Sequence, residues 1–203
     1  MSSTSDSKQP DEAQLPAYEA LPDSERGLSP EAELLFWTLN GPLTTSLWVM
    51  ERRKAPEFWE PYFKGTSLHP ASQSPITSSK VSSITVSIDE LELYDEDEVP
   101  VHWDHTPPNT AAEVTEENKE ADRLVIKPDT SSGRDFVTIH DYVSAVHPWL
   151  MERRGEILGA KGLFEKDKAP LPPETRLMVD CLVPDCVEIP VEEEWFKRRN
   201  GLR

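Results

Sequence analysis

Apolar residues between Ser29 and Gly65 recur at intervals that are typical of helices. Ser29 can cap the first helix, Pro30 suits its first turn, and Gly41-Pro42 ends it. Because the pattern then resumes, it predicts two further helices, at residues 44–54 and 57–64. We therefore expect a helical segment over residues 29–65.

The period of the pattern changes after Lys80. Apolar and polar residues alternate over residues 84–88, as in a strand with one buried face. The alternation reverses its phase at Asp89-Glu90, which we interpret as a bulge or a turn between two strands. The preceding residues, 66–80, are rich in Ser, Pro and Thr and are expected to form a linker.

A third block begins at the apolar run 124–126, which predicts a strand that ends before Pro128. Thr138 precedes a helix whose apolar residues have helical spacing, and Asp141 is placed to complete a capping box with it. Because proline removes a backbone donor, we expect Pro148 to kink or split this helix near His147.

The last part of the chain predicts one more strand pair and a final helix. Residues 161–173 read as a loop, alternation over 177–183 predicts a strand, and Val187 and Ile189 suggest another. Residues 190–199 carry acidic residues first and basic residues last, which favours a helix.

These elements predict an α+β fold, with a helical N-terminal part packed with a small, mainly antiparallel sheet and flanking helices. The sheet should be antiparallel because its strands alternate. The tail is too polar to bury enough apolar area to fold. The expected organisation is a disordered tail at 1–28, a helical segment at 29–65, a linker at 66–80, and an α+β domain at 81–203 with a disordered acidic loop at 95–122.

Composition and charge narrow the classes of partner. A hydrophobic share of 36% and 19 prolines indicate much irregular structure. The net charge of −17 argues against nucleic acid and anionic membranes, since both are bound mainly through lysine and arginine. Residues 1–10 lack a secretory pattern, and two cysteines do not make a disulfide scaffold. We therefore expect a cytoplasmic or nuclear protein.

The acidic residues are concentrated in one stretch of the chain. Residues 89–122 contain thirteen Asp or Glu and a single basic residue, Lys119. One interpretation is a solvated loop, and the other is an electrostatic dock for a protein with a basic surface or tail. An exposed tryptophan there would be an interface hot spot. The candidate partner-binding residues are Asp95, Glu96, Asp97, Glu98 and Trp103.

Catalytic and metal-binding patterns are weak. His102 and His105, with His140 and Cys181 or Cys186, lack the spacing of known zinc sites. His140 and Asp141 are adjacent on a predicted helix, so their side chains should diverge. Phosphate-loop, dinucleotide and nucleophile-elbow motifs are absent. We therefore assign no catalytic, cofactor-binding or metal residues.

Residues 136–146, Phe-Val-Thr-Ile-His-Asp-Tyr-Val-Ser-Ala-Val, follow a strand pair and an apolar run ended by proline. They precede the strand Arg-Leu-Met-Val-Asp at 176–180. This order resembles small uncharacterised proteins of filamentous fungi, over about residues 81–190. The resemblance implies an α+β domain and no particular activity.

The sequence therefore favours a protein-interaction or adaptor protein whose acidic segment docks a basic partner. The alternative is an enzyme of unfamiliar type, or an enzyme accessory subunit, with a small-molecule pocket between the helical part and the sheet. An enzyme with such a pocket should bind a metabolite, whereas an adaptor should bind a basic protein and no metabolite. The sequence does not predict the oligomeric state.

Overall fold

The computed structural model describes residues 14–51, 59–92, 123–163 and 169–199. Its α-helices are α1 (Leu43–Ser46), α2 (Asp89–Glu92), α3 (Ile139–Glu152), α4 (Arg154–Leu163) and α5 (Glu192–Arg199). Its strands are β1 (Leu35–Trp37), β2 (Leu47–Met50), β3 (Trp59–Pro61), β4 (Phe63–Lys64), β5 (Ser67–Leu68), β6 (Ile84–Ile88), β7 (Leu124–Ile126), β8 (Asp180–Val183) and β9 (Cys186–Glu188). Short 3-10 helices lie at Tyr18–Ala20, Asp23–Glu25, Ala32–Leu34, Pro70–Gln73 and Thr130–Ser132.

The strands form two larger sheets and a small hairpin. The first sheet has the order β1-β2-β3, the second has the order β7-β6-β9-β8, and β4 pairs with β5. The pairing is antiparallel except between β6 and β9, which are parallel. The α+β class and the mainly antiparallel pairing are therefore confirmed.

The two larger sheets are joined just before β8. Thr38 and Met178 form an antiparallel bridge. On either side of it, Val179 N–H donates to the Trp37 carbonyl at 2.9 Å, and Leu39 N–H donates to the Leu177 carbonyl at 2.8 Å. Main-chain hydrogen bonds thus connect the first sheet to the strand that leads into the second.

Helix α3 packs in the centre of the main hydrophobic core, where Val143, Val146 and Leu150 are fully buried. Its predicted capping box is present. Thr138 Oγ1 accepts from Asp141 N–H at 3.1 Å, and Asp141 Oδ2 accepts from Thr138 N–H at 2.9 Å. These reciprocal bonds satisfy two donors that the first turn of a helix leaves unpaired.

The predicted split of this helix at Pro148 is wrong, because α3 continues through Pro148 to Glu152. Proline removes the donor that would bond to the carbonyl four residues earlier, that of Ser144. Ser144 is exposed, so water can satisfy that carbonyl. The next helix, α4, extends to Leu163 and occupies the start of the predicted loop.

The prediction of a helical segment over residues 29–65 is also wrong. Residues 35–37 and 47–50 form strands β1 and β2, and only α1, one turn long, lies between them. The side chains of β1 alternate between two buried clusters. Leu35 and Trp37 belong to the main core, whereas Phe36 packs in a second cluster with Trp195. Apolar residues on both faces hide the two-residue period of a strand.

The predicted extents of the tail and the linker also differ from the structure. Residues 1–13 lie outside the described part of the chain, but Tyr18 and Leu21 are buried, and Tyr18 N–H donates to the Ser83 carbonyl at 2.9 Å. In the predicted linker, Ile76 is buried and its carbonyl accepts from Ser29 N–H at 3.0 Å. A few well-placed apolar residues and main-chain hydrogen bonds hold both segments to the core.

At Asp89-Glu90 the chain forms α2 instead of the predicted bulge or turn between strands. None of the helices in the described ranges is long and apolar enough to cross a membrane.

Candidate interaction surface

The acidic segment, which is here residues 93–122, lies in the sequence between two paired strands. Helix α2 directly follows β6 and ends at Glu92, and β7 begins at Leu124 and pairs with β6 in antiparallel register. The predicted partner-binding residues lie outside the described part of the chain: Asp95, Glu96, Asp97, Glu98 and Trp103. The residues that flank the segment are described, and they form its attachment to the sheet.

An ion pair joins the two ends of the segment. Arg123 Nη2 lies 3.4 Å from Glu92 Oε1, and both side chains are about half exposed. The two residues that flank the segment therefore lie close together, next to the outer strand β7. Exposed ion pairs of this kind contribute little stability, so the paired strands are the stronger constraint on this geometry.

Glu90 belongs to the core and not to the exposed acidic surface. It is 9% exposed, and its Oε1 accepts from Ile189 N–H at 2.7 Å and from the Lys161 ammonium at 3.2 Å. Because the carboxylate bridges α2, α4 and the end of β9, it fixes the position of α2. The sequence pattern counts Glu90 among the acidic docking residues, and the structure gives it a structural role.

Asp89 lies beside other acidic groups at the base of the segment. Burial raises the pKa of its carboxyl above the usual value, and Glu188 and Glu92 raise it further. Lys161 and Arg198 act in the opposite direction, and Arg198 forms an ion pair with Glu188. The charges at this base are thus largely compensated within the fold.

His140 and Asp141, which are adjacent in the sequence, have different partners in the structure. Asp141 is engaged in the capping box. His140 Nδ1 instead lies 3.4 Å from the Tyr62 hydroxyl and 3.3 Å from Ser144 Oγ. Sequence reasoning missed this group because Tyr62 is distant in sequence, although the spacing of His140 and Ser144 on a helix was visible.

The cysteines are free thiols. Burial raises the pKa of Cys181 to about 12, so this thiol stays protonated at neutral pH. The nearby Tyr142 hydroxyl donates to the Pro184 carbonyl at 2.8 Å. The described residues contain no group of three or more His, Cys, Asp or Glu side chains that could hold a metal ion. His102 and His105 lie outside the described residues.

The cavities of the described surface include one of about 60 Å³ between β1 and β8, well below the size of metabolite pockets. An open cleft of about 420 Å³ is lined by Asn40, Arg154 and Arg176 among others. Its arginines already have partners: Arg154 donates to the Thr175 carbonyl at 2.7 Å, and Arg176 pairs with Glu192 at 3.2 Å.

Comparison of the chain with protein-family models, curated proteins and solved structures finds no match. The resemblance to fungal proteins therefore stays a prediction.

Proposed function

We propose that this chain is a protein-interaction or adaptor protein whose acidic segment, residues 93–122, docks a partner with a basic surface or tail. The proposed contacts are Asp95, Glu96, Asp97, Glu98 and Trp103. The supporting observation is the attachment of the segment: both of its ends are fixed on one sheet, and Arg123 and Glu92 form an ion pair between them. We further propose that the protein works in the cytoplasm or nucleus.

The fixed ends matter for binding energetics. Bringing the ends of a flexible loop together costs entropy that grows with loop length. Here the pairing of β6 with β7 closes the loop when the protein folds. Closure therefore adds nothing to the cost of binding, and the two points at which the segment is attached, Glu92 and Arg123, lie side by side.

The charge pattern identifies the class of partner. Residues 93–122 carry ten acidic side chains against Lys119, whereas the acidic residues at the base of the segment are compensated by Lys161, Arg198 and Arg123. Concentrated surface charge accelerates association with an oppositely charged molecule. A lysine-rich or arginine-rich polypeptide has the complementary charge.

The test is the association rate of the full chain with a synthetic lysine-rich peptide, measured over a range of salt concentrations. Replacing Asp95, Glu96, Asp97 and Glu98 with Ser should slow association several-fold, and added salt should remove the difference, because exposed charges are screened beyond roughly 10 Å at about 0.1 M salt. Trp103→Ala should accelerate dissociation if the tryptophan is a short-range anchor.

A matched control separates the segment from the overall charge. Serine at the exposed residues Glu31, Glu152, Glu174 and Glu194 also removes four negative charges, but from the folded part of the chain. This variant should bind nearly as fast as the wild type. If it slows association as much as the segment variant does, net charge alone attracts the peptide and the docking segment is refuted.

A further inference from the structure

Strand β8 lies at the other end of the second sheet from the acidic segment, because the strand order is β7-β6-β9-β8. Just before β8 the chain pairs with β1, and the hydrogen bond from Val179 N–H to the Trp37 carbonyl is the last one between them in the described part of the chain. β1 and β8 then diverge. From Cys181 onward, the side of β8 that faces away from β9 is a free edge.

A bulge turns this edge towards solvent. Asp180 is paired with Glu188 and Val183 with Cys186, so Cys181 and Leu182 together oppose Val187 alone. Leu182 is 60% exposed and Val183 is 42% exposed. Among the described residues, the other large apolar side chain with comparable exposure is Val125. Two of these three side chains are therefore neighbours on the free edge.

The cavity of about 60 Å³ opens where β1 and β8 diverge. Most of its walls are apolar and include Leu28, Ala32, Leu35 and Ile76, and Cys181 and Leu182 lie on its β8 side. Its volume suits a small aliphatic side chain. A residue that paired with β8 would therefore find a matching apolar recess beside the strand.

Arg199, which lines the same cavity, has a buried donor without an acceptor in the described part of the chain. Arg199 Nη2 lies 3.5 Å from Asp180 Oδ1, and the guanidinium stacks 4.7 Å from the centre of the Trp195 ring. Its other nitrogen, Nη1, is buried and has no hydrogen-bond partner among the described residues. Because an unpaired buried donor is destabilising, an acceptor supplied by a bound molecule would be favourable here.

The charges around Arg199 select the kind of acceptor. Asp180 is 4% exposed and already faces the guanidinium, and Glu33 also lines the cavity. A carboxylate ligand would be repelled by both acidic groups, whereas a neutral carbonyl would not. The net charge of −17 likewise favours an occupant without acidic residues. A peptide carbonyl meets both conditions.

We infer that the free edge of β8 binds an extended segment of a partner protein, neutral or basic in charge, by strand addition. A small aliphatic side chain of that segment occupies the cavity, and one of its main-chain carbonyls accepts from Arg199. Main-chain pairing supplies affinity in such complexes, and pockets for alternate side chains supply specificity. The surface is distinct from the acidic segment, so the chain has docking surfaces at both ends of one sheet.

The test uses the full chain labelled with ¹⁵N and a neutral capped peptide, Ac-Gln-Val-Thr-Val-Thr-Val-Gln-NH₂, titrated by NMR. The amide signals of Cys181, Leu182 and Val183 should shift. Leu182→Lys should weaken binding at least tenfold, whereas Val125→Lys, on the opposite edge of the same sheet, should change it less than twofold. Both residues are exposed, so both variants should keep the wild-type melting temperature.

Two further comparisons test the chemistry of the site. Ala32→Val, which fills part of the cavity, should weaken peptide binding several-fold without lowering the melting temperature. A peptide with Glu in place of both Gln residues should bind more weakly than the neutral one. Because neither peptide carries basic residues, failure here leaves the docking of basic partners by the acidic segment untouched.

Several outcomes would overturn the inference. These are an absence of shifts on β8 at millimolar peptide, and equal weakening by Leu182→Lys and Val125→Lys. A dimer of the free protein that Leu182→Lys dissociates would assign the edge to a second copy of this chain. A crystal structure with the peptide bound elsewhere and an ordered water on Arg199 Nη1 would assign the cavity to solvent.

Discussion

Trp37 and His147 form a buried hydrogen bond that joins the first sheet to helix α3. The indole Nε1–H of Trp37 donates to His147 Nδ1 at 2.9 Å, so the proton of the neutral imidazole is on Nε2. Nε2 in turn lies 2.8 Å from the Gly41 carbonyl, to which it donates. Gly41 has a φ of +111°, which favours glycine at this turn. One histidine thereby fixes β1, the turn after it and α3.

This bond predicts that the protein loses stability in mild acid. Burial lowers the pKa of His147 below its ordinary value of 6.5, because a protonated ring would lose the Nδ1 acceptor and carry a buried charge. The unfolded chain then binds the proton more readily than the folded one. His147 therefore contributes its full stability above pH 6.5, and this contribution declines as the pH falls below that value. Urea unfolding across this pH range measures the decline.

Substitution separates the contribution of His147 from that of other histidines. His147→Phe should be less stable by about 1–3 kcal/mol at neutral pH, because the Trp37 donor is left unpaired. The free energy of unfolding of this variant should also depend less on pH than that of the wild type. The pKa of His69 is likewise lowered, mainly by burial. His69→Asn should therefore remove a second part of the pH dependence of stability. A His147→Phe protein with the full wild-type pH dependence would contradict the assignment.

Glu90 and Glu92 provide a second prediction, because they lie on the same helix with opposite burial. Glu90→Ala should cost about 3–5 kcal/mol, since it leaves Ile189 N–H and the Lys161 ammonium without their buried acceptor. Glu90→Gln should cost less, because its amide oxygen can still accept. Denaturant unfolding of both variants gives these values.

Glu92→Ala is the control. Its ion pair with Arg123 is half exposed on both sides, so it should cost less than about 1 kcal/mol. Similar losses for Glu90→Ala and Glu92→Ala would show that Glu90 is not a core residue. A double-mutant cycle of Glu90→Ala with Lys161→Ala then isolates the coupling between the two buried partners.

Elements with a local signal could be predicted from the sequence. The start of α3 depends on Thr138 and Asp141, which are three residues apart. Strand β6 shows its buried face by alternation, and α5 has acidic residues in its first turn and basic ones in its last. In each case the residues that determine the structure lie within one short stretch, so the local sequence pattern is enough to predict the element.

The N-terminal strands could not be predicted in this way, because both of their faces are buried by distant parts of the chain. Trp37 bonds to His147, which is 110 residues away. Phe36, on the opposite face, meets Trp195 of α5 edge-on at 5.2 Å. Without polar residues to mark an exposed face, Leu35, Phe36 and Trp37 show no two-residue period, so the helix-like spacing of the apolar residues is misleading here.

The candidate surfaces likewise combine features that the local sequence shows with features that depend on distant residues. The acidic segment was evident from composition, but the burial of Glu90 depends on Ile189 and Lys161, 99 and 71 residues away. Sequence therefore grouped Glu90 with exposed acids. The free edge of β8 was invisible because the alternation around Leu182 resembles that of any half-buried strand. Its exposure follows from the bulge and from the divergence of β1.

Gly162 gives the third prediction. It lies in the last turn of α4, where a Cβ atom would come within 1.9 Å of the Ala169 carbonyl oxygen. The returning chain is held there by a hydrogen bond from Leu171 N–H to the Leu158 carbonyl at 3.0 Å. Because the neighbour is backbone, Gly162→Ala must push the two segments apart, and we expect a loss of about 1–3 kcal/mol in urea unfolding. Exchange of the Leu171 amide hydrogen should accelerate.

Gly159 in the same helix is the matched control. A Cβ atom there meets no other atom within 4 Å, so alanine adds no clash. Alanine also restricts the unfolded chain, and Gly159→Ala should therefore raise the free energy of unfolding by about 0.5–1 kcal/mol. The two substitutions are chemically identical and differ only in what surrounds them. If Gly162→Ala were as stable as Gly159→Ala, the close approach of Ala169 to α4 would be wrong.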